Sequence, residues 1–130
     1  MTEPIDTNGL RLWAVRGATK VANNDADEIV AATEELLREV MSRNDLDGSH
    51  MVSCVFTCTN DLDAEFPAVA ARRIGLSDVP LLCSREIPVP GSMQSVIRVL
   101  LHYYAAQDHS PVHTYLGDAQ NLRSDLKAAQ

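Results

Sequence analysis

The most apolar stretch of this 130-residue chain, Val96-Ile97-Arg98-Val99-Leu100-Leu101, carries a guanidinium in its middle. Arg16 ends a second apolar run, Leu10 to Val15, and Glu86 follows Leu81-Leu82-Cys83. A charge set among core-forming residues either snorkels to a surface or is held in a pocket with an anionic partner. Arginine suits the pocket reading, because its planar fork gives a carboxylate two parallel hydrogen bonds and keeps its proton. Of the eleven basic residues only Lys20 and Lys127 are lysine, the other nine being arginine. A GC-rich genome also produces that ratio, so position rather than number singles out Arg16 and Arg98. Two arginines and a glutamate at sheet positions make an anion pocket attractive, although spacing alone does not bring them together.

The remaining candidates for chemistry are weaker. Cys54, Cys58 and Cys83 are odd in number and widely spaced, which argues against a disulfide framework. On a strand Cys54 and Cys58 share one face and behave as small core residues. Cys83 has no base beside it in sequence to make it a nucleophile. His109 and His113 have i, i+4 spacing, but Ser110-Pro111 breaks any helix that would pair them. No Cys/His cluster has zinc spacing, so no metal is expected.

The elements that must position these residues follow from pattern. Leu10 to Val15 reads as a strand that stops at the small residues Gly17-Ala18-Thr19. Asn23-Asn24-Asp25 offers N-caps, and Asp25, Asp27 and Glu28 put negative charge at the positive end of a helix. Ile29, Thr33, Leu36, Leu37, Val40 and Met41 then repeat at helical spacing to about Arg43. Met51 to Cys58 is a β-branched strand, and Asn60-Asp61-Leu62-Asp63 a turn cluster. Pro67 suits the first turn of a short helix, residues 68–74, that Gly75 terminates. Val79 to Cys83 reads as a short strand, with Pro80 at an edge or early position. Ser95 to Tyr104 is ambiguous between helix and strand, and its β-branched and aromatic content favours strand. Val112 to Leu116 is a further strand, and Asp118 could cap a last helix to about Ala128. The order β-α-β-α-β-β-β-(α) makes an α/β (α+β) domain, one mixed sheet with one long and one or two short helices. Residues 1–9 read as a flexible tail, 10–130 as the domain, with the segment from about 118 partly mobile or helical. Helices cover one face of such a sheet, and the strands are apolar on both, so a homo-oligomer is expected to cover the other.

Composition excludes whole classes. Eighteen acids against eleven bases give a formal charge of −7, which argues against a nucleic-acid or anionic-membrane surface. No apolar run approaches the ~20 residues of a membrane span, and the N-terminus lacks a secretory pattern. A soluble cytoplasmic protein is expected.

Five segments in order resemble the AroH-class (Bacillus-type) chorismate mutases. They are Arg16-Gly17-Ala18-Thr19 before an acid-capped helix, the run from Phe56 to Ala68 in which Asp61-Leu62 leads to Phe66-Pro67-Ala68, Val79 to Glu86, Ile97-Arg98-Val99, and His113-Thr114-Tyr115-Leu116. The resemblance implies the chorismate mutase fold, a homotrimeric pseudo-barrel with active sites between subunits, and the rearrangement of chorismate to prephenate without a cofactor. It implies that Arg16, Arg98 and Tyr115 hold the enolpyruvyl side, with Arg98 facing the ether oxygen. Glu86 and the backbone around Cys83 (Leu82, Ser84 and Arg85 beside it) would take the ring hydroxyl. Phe66, Ala68 and Arg72 line the site, Phe66 and Arg72 coming from the neighbouring subunit, and Leu122-Arg123 would cover the pocket. The chain departs from the family at Val69, where a lysine is frequent, and at Leu82, where a small polar residue is frequent. Two other readings stay open at this point: a non-catalytic trimer that binds an anionic metabolite, and an enamine or imine deaminase on a similar scaffold.

Overall fold

Residues 8–122 are described in the computed structural model. Strand β1 (Leu10–Lys20) is followed by helix α1 (Ala26–Arg43), β2 (Met51–Cys58), helix α2 (Ala68–Arg73), β3 (Leu81–Arg85), β4 (Val96–Ala106) and β5 (Thr114–Tyr115). The five strands form one sheet in the order β3-β2-β4-β1-β5. The β1–β4 and β2–β4 pairs are antiparallel, whereas β2–β3 and β1–β5 are parallel. The mixed sheet and the element order are as expected, and the ambiguous segment at 95–104 is a strand.

Helix α1 forms where its caps and stripe dictate. The Asp25 side chain accepts from the Glu28 N–H at 3.0 Å, and Asp27 and Glu28 occupy the first turn. Ion pairs Arg38–Glu34 and Arg43–Glu39 line its outer face at i, i+4. Ile29, Val30, Thr33, Leu36, Leu37 and Val40 are buried, each large aliphatic among them stabilising the fold by roughly 1.5–3 kcal/mol. Val30, Leu36, Leu37 and Val40 pack with Val15, Cys54, Phe56, Val99, Leu101 and Tyr103, residues of alternate positions on β1, β2 and β4, while Ile29 packs with Val21, Cys58, Leu62 and Ile97. Cys54 and Cys58 are both buried.

Three boundaries differ from expectation. β1 does not stop at Arg16 but pairs with β4 along its whole length, from Leu10 opposite Ala106 to Lys20 opposite Val96. The small residues after Arg16 mark a close approach instead of an exit. A Cβ on Gly17 would meet Val40 Cγ2 at 3.0 Å, and Leu36 Cδ1 and the Thr114 carbonyl oxygen at 3.1 Å. Arg16 therefore projects from the middle of a paired strand. The third strand in sequence is shifted to Leu81–Arg85, since Pro80 has no N–H and enters the sheet only through its carbonyl, 3.0 Å from Cys54 N. The strand expected at 112–116 shrinks to Thr114–Tyr115, and the last helix begins as a 3-10 turn, Gly117–Asn121. The tail before residue 8 and the helix to about Ala128 lie outside the described residues.

Among the described residues no α-helix lies on the face of the sheet away from α1; the 3-10 turn packs on part of it, Ala119 and Leu122 against Ala18 and Val96. Leu12 and Tyr104, paired across β1 and β4, are 47% and 37% exposed on that face, Leu100 is 37% exposed and Leu82 63%.

Candidate functional site

The face away from α1 carries the charged residues. On β4, Arg98 lies opposite Ala18 of β1 and Thr57 of β2, and Arg16 lies opposite Leu100. Glu86 follows directly on β3, its N–H bonded to the Cys58 carbonyl at 3.0 Å. Tyr115 of β5 pairs with Ala18. Arg16, Glu86, Arg98 and Tyr115 thereby line one hollow of about 230 Å³, floored by Gly17, Val55, Thr57, Val99 and Leu100.

Arg98 and Glu86 form an ion pair, Nε to Oε1 3.0 Å. The Nε–H does not aim at that oxygen, and the atom is buried without a hydrogen bond among the described residues. Thr57 Oγ1 donates to the same Oε1. The pair also forms a wall of an adjoining hollow of about 240 Å³, lined by Thr59, Asn60 and the 87–94 loop.

Neighbouring contacts hold this wall in place. Asp61 accepts from the Ser95 N–H and hydroxyl and from the Thr59 hydroxyl, while Val96 N–H donates to Thr59 Oγ1 at 3.1 Å. The bonds tie the turn after β2 to the start of β4, two residues before Arg98. Burial pushes the Asp61 carboxyl up, but the hydroxyls of Thr59 and Ser95 and the Ser95 N–H outweigh it and hold it below its ordinary value of 3.8. On the other side Tyr115 is buried with Ala18, Val96, Ala119 and Leu122. Arg16 N–H donates to His113 Nδ1 at 3.0 Å. The loop before β5 is tied to the end of α1 by buried Asn44, which donates to the Val112 carbonyl at 3.0 Å and accepts from Val112 N–H at 2.7 Å.

The remaining residues singled out in the sequence lie elsewhere. Phe66, Cys83, Ser84 and Arg85 share a second hollow of about 260 Å³ with Cys58, Leu62 and the 63–67 segment. Phe66 is 67% exposed, Arg72 is exposed on α2, and Ala68 is buried at its start. Arg85 turns inward: its Nη1 donates to the Thr59 and Leu62 carbonyls at 2.9 and 2.7 Å. It secures the loop after β2, away from the hollow of Arg16 and Arg98. Leu82 is exposed on β3, Leu122 is packed against Tyr115, and Arg123 lies outside the described residues. Burial pushes the Cys54 thiol up to about 12 and raises that of Cys58, the latter partly offset by the Arg85 guanidinium. Both thiols stay protonated at neutral pH and are inert. Among the described residues no three His, Cys, Asp or Glu side chains are placed to hold a metal, and no helix is long and apolar enough to cross a membrane.

Thr57 is the residue that sequence reasoning missed. Alternation along Met51–Cys58 would have found it, since it places Thr57 with Val55 on the face opposite Cys54 and Cys58.

Comparison with known proteins identifies the family. A family model described as chorismate mutase type I matches residues 12–126. The chorismate mutase AroH of Thermus thermophilus is 43% identical over 118 residues, covering 89% of this chain and 97% of the relative. That of Bacillus subtilis (strain 168) is 33% identical, over 90% and 94%. The solved chorismate mutase of Clostridium thermocellum superposes with a TM-score of 0.80 at 46% identity, covering 84% of this chain and 98% of that one. A match across nearly the whole described sheet, at these identities, places the chain in the type I chorismate mutase family.

Proposed function

We propose that the chain catalyses the rearrangement of chorismate to prephenate, the branch reaction toward phenylalanine and tyrosine, by holding and electrostatically matching the substrate. The observation that carries this reading is the meeting of Arg16, Arg98, Glu86 and Tyr115, drawn from four separate segments, in one hollow.

The reaction is pericyclic and unimolecular, so the protein transfers no proton, hydride or covalent bond. Its tasks are to pair two carboxylates as they leave water, to press the substrate into a compact chair, and to meet the negative charge that builds on the ether oxygen as the C–O bond breaks. Arg16 on a fully paired strand supplies a rigid fork for one carboxylate. Arg98 faces the ether oxygen, where a fixed guanidinium is worth more in the transition state than in the ground state. Glu86 accepts the ring hydroxyl, and the Tyr115 hydroxyl adds a donor on the enolpyruvyl side. The net charge of −7 does not oppose this, because the local field acts on a small anion.

The site is completed in a homotrimer. The hollow of about 230 Å³ is below the roughly 300–1,000 Å³ of ordinary ligand pockets, and it opens on the face away from α1 where Leu12, Leu82, Leu100 and Tyr104 stand exposed. Exposed Phe66 and Arg72 of a neighbouring copy supply the missing wall. Val69 leaves that rim without the lysine frequent in the family, and Leu82 makes it more apolar. The acidic composition and a metabolite substrate support a cytoplasmic location. The metabolite-binder and deaminase readings are not favoured: two guanidinium groups beside one carboxylate suit a dianion better than a water-activating site.

The experiment is direct. Purified protein is mixed with chorismate and loss of the diene absorbance is followed; enzyme-dependent loss with prephenate as product is expected, and an intact oligomer without turnover would sink the reading.

A further inference from the structure

We infer that Thr57 is a positioning residue of this site, acting through Glu86. Glu86 follows β3 and Arg98 lies on β4, and these strands are not neighbours, because β2 runs between them. Thr57 sits at the crossing, opposite Ser84 on β3 and Arg98 on β4. Its hydroxyl donates to Oε1 of Glu86, the oxygen that also lies 3.0 Å from Arg98 Nε. Both contacts thus fall on one carboxylate oxygen, which leaves Oε2 to accept from a ligand.

The ion pair alone does not fix the carboxylate, since the Arg98 Nε–H is not aimed at it. The Thr57 hydroxyl supplies the directed bond that the pair lacks. A β-branched residue in a strand has few χ1 choices, so that hydroxyl is held in place by its own backbone. A hydrogen bond to an ionised acceptor is also among the stronger ones. Thr57 therefore holds Glu86 with Oε1 beside Arg98, which leaves Oε2 for the substrate hydroxyl. The inference rests on the reading of Glu86 as the acceptor for that hydroxyl.

The test is a double-mutant cycle on the full chain with chorismate as substrate. Thr57→Val keeps shape and strand preference but removes the donor, Thr57→Ala removes it without the branch, and Thr57→Ser keeps it. Thr57→Val and Thr57→Ala are expected to lower kcat/KM by roughly 10- to 100-fold, the size of one hydrogen bond to a charged group. Thr57→Ser stays near the parent, and the melting midpoint of Thr57→Val does not move with its activity. In a Glu86→Ala background Thr57→Val costs nothing further, because its target is gone. Parent-like kcat/KM in Thr57→Val and Thr57→Ala, or an equal loss with and without Glu86, would overturn the assignment of Thr57 alone. If Glu86→Ala leaves turnover untouched, the underlying reading of Glu86 falls as well.

Discussion

Arg98 and Glu86 stand 3.0 Å apart, Nε to Oε1, although a whole strand separates the segments that carry them. Their side chains meet above β2, on the face away from α1, and Arg16 and Tyr115 close the same hollow from β1 and β5. A guanidinium balanced by one carboxylate keeps its charge poised without a ligand, and a doubly negative substrate adds to that balance instead of having to create it.

Arg98→Ala removes the cation proposed to meet the breaking bond. The expected loss is about 3–4 kcal/mol of transition-state stabilisation, or roughly 10²–10³ in kcat, as for the removal of one oxyanion-hole donor. Arg98→Lys restores little, since a point charge on a flexible stem does not reproduce the fork. Steady-state kinetics on chorismate, with kcat and KM separated, check both.

Gly17→Ala forces a Cβ to within 3.0–3.1 Å of Val40, Leu36 and the Thr114 carbonyl. Overpacking of this kind costs about 1–3 kcal/mol. It also strains the strand that carries Arg16 and the backbone that leads to Tyr115. Urea unfolding is expected to show a lower midpoint with an unchanged slope, and activity falls with it.

Asn44→Ala removes the buried amide that bonds both the Val112 N–H and its carbonyl. A stability loss of about 1–3 kcal/mol is expected, two hydrogen bonds at roughly 0.5–1.5 kcal/mol each. The segment that ends in Tyr115 should gain amide hydrogen exchange locally, ahead of global unfolding.

Leu12→Arg places a charge in the exposed apolar pair with Tyr104. In a trimer that uses this face, sedimentation shows dissociation to monomers and turnover drops at low protein concentration. An unchanged trimer with full activity would contradict the choice of face.

Asp61 carries the acid sensitivity of the wall behind Arg98. Its folded-state pKa lies below the ordinary 3.8, so it binds a proton less readily folded than unfolded. Its contribution is fully present above the unfolded value and disappears as pH falls through the lower folded one. Acid unfolding of Asp61→Asn is therefore expected to depend less steeply on pH below about 4 than that of the parent.

Much of this is legible in the sequence. Helix α1 announces itself through Asp25 and a six-residue stripe, and Arg98 stands out because nothing apolar explains it. The small residues after Arg16 were ambiguous, since a tight exit and a close helix contact ask for the same side chains; only the packing of Val40 and Leu36 on Gly17 separates them. Thr57 and Arg85 show the deeper limit. Alternation assigns a residue to a face, but which strand lies beside it depends on pairings between segments up to ninety-odd residues apart, such as Leu10 with Ala106. Those pairings turn Thr57 into a neighbour of both Glu86 and Arg98, and send Arg85 inward to two loop carbonyls.

The most direct measurement is a crystal structure of the protein with a bound mimic of the compact transition state. The account predicts one ligand per subunit, a carboxylate on the Arg16 fork, the ether oxygen on Arg98, the ring hydroxyl on Glu86, and Phe66 and Arg72 of a second copy closing the cleft. A ligand seated away from residues 16 and 98, or those two guanidinium groups turned to open solvent in the complex, would contradict it.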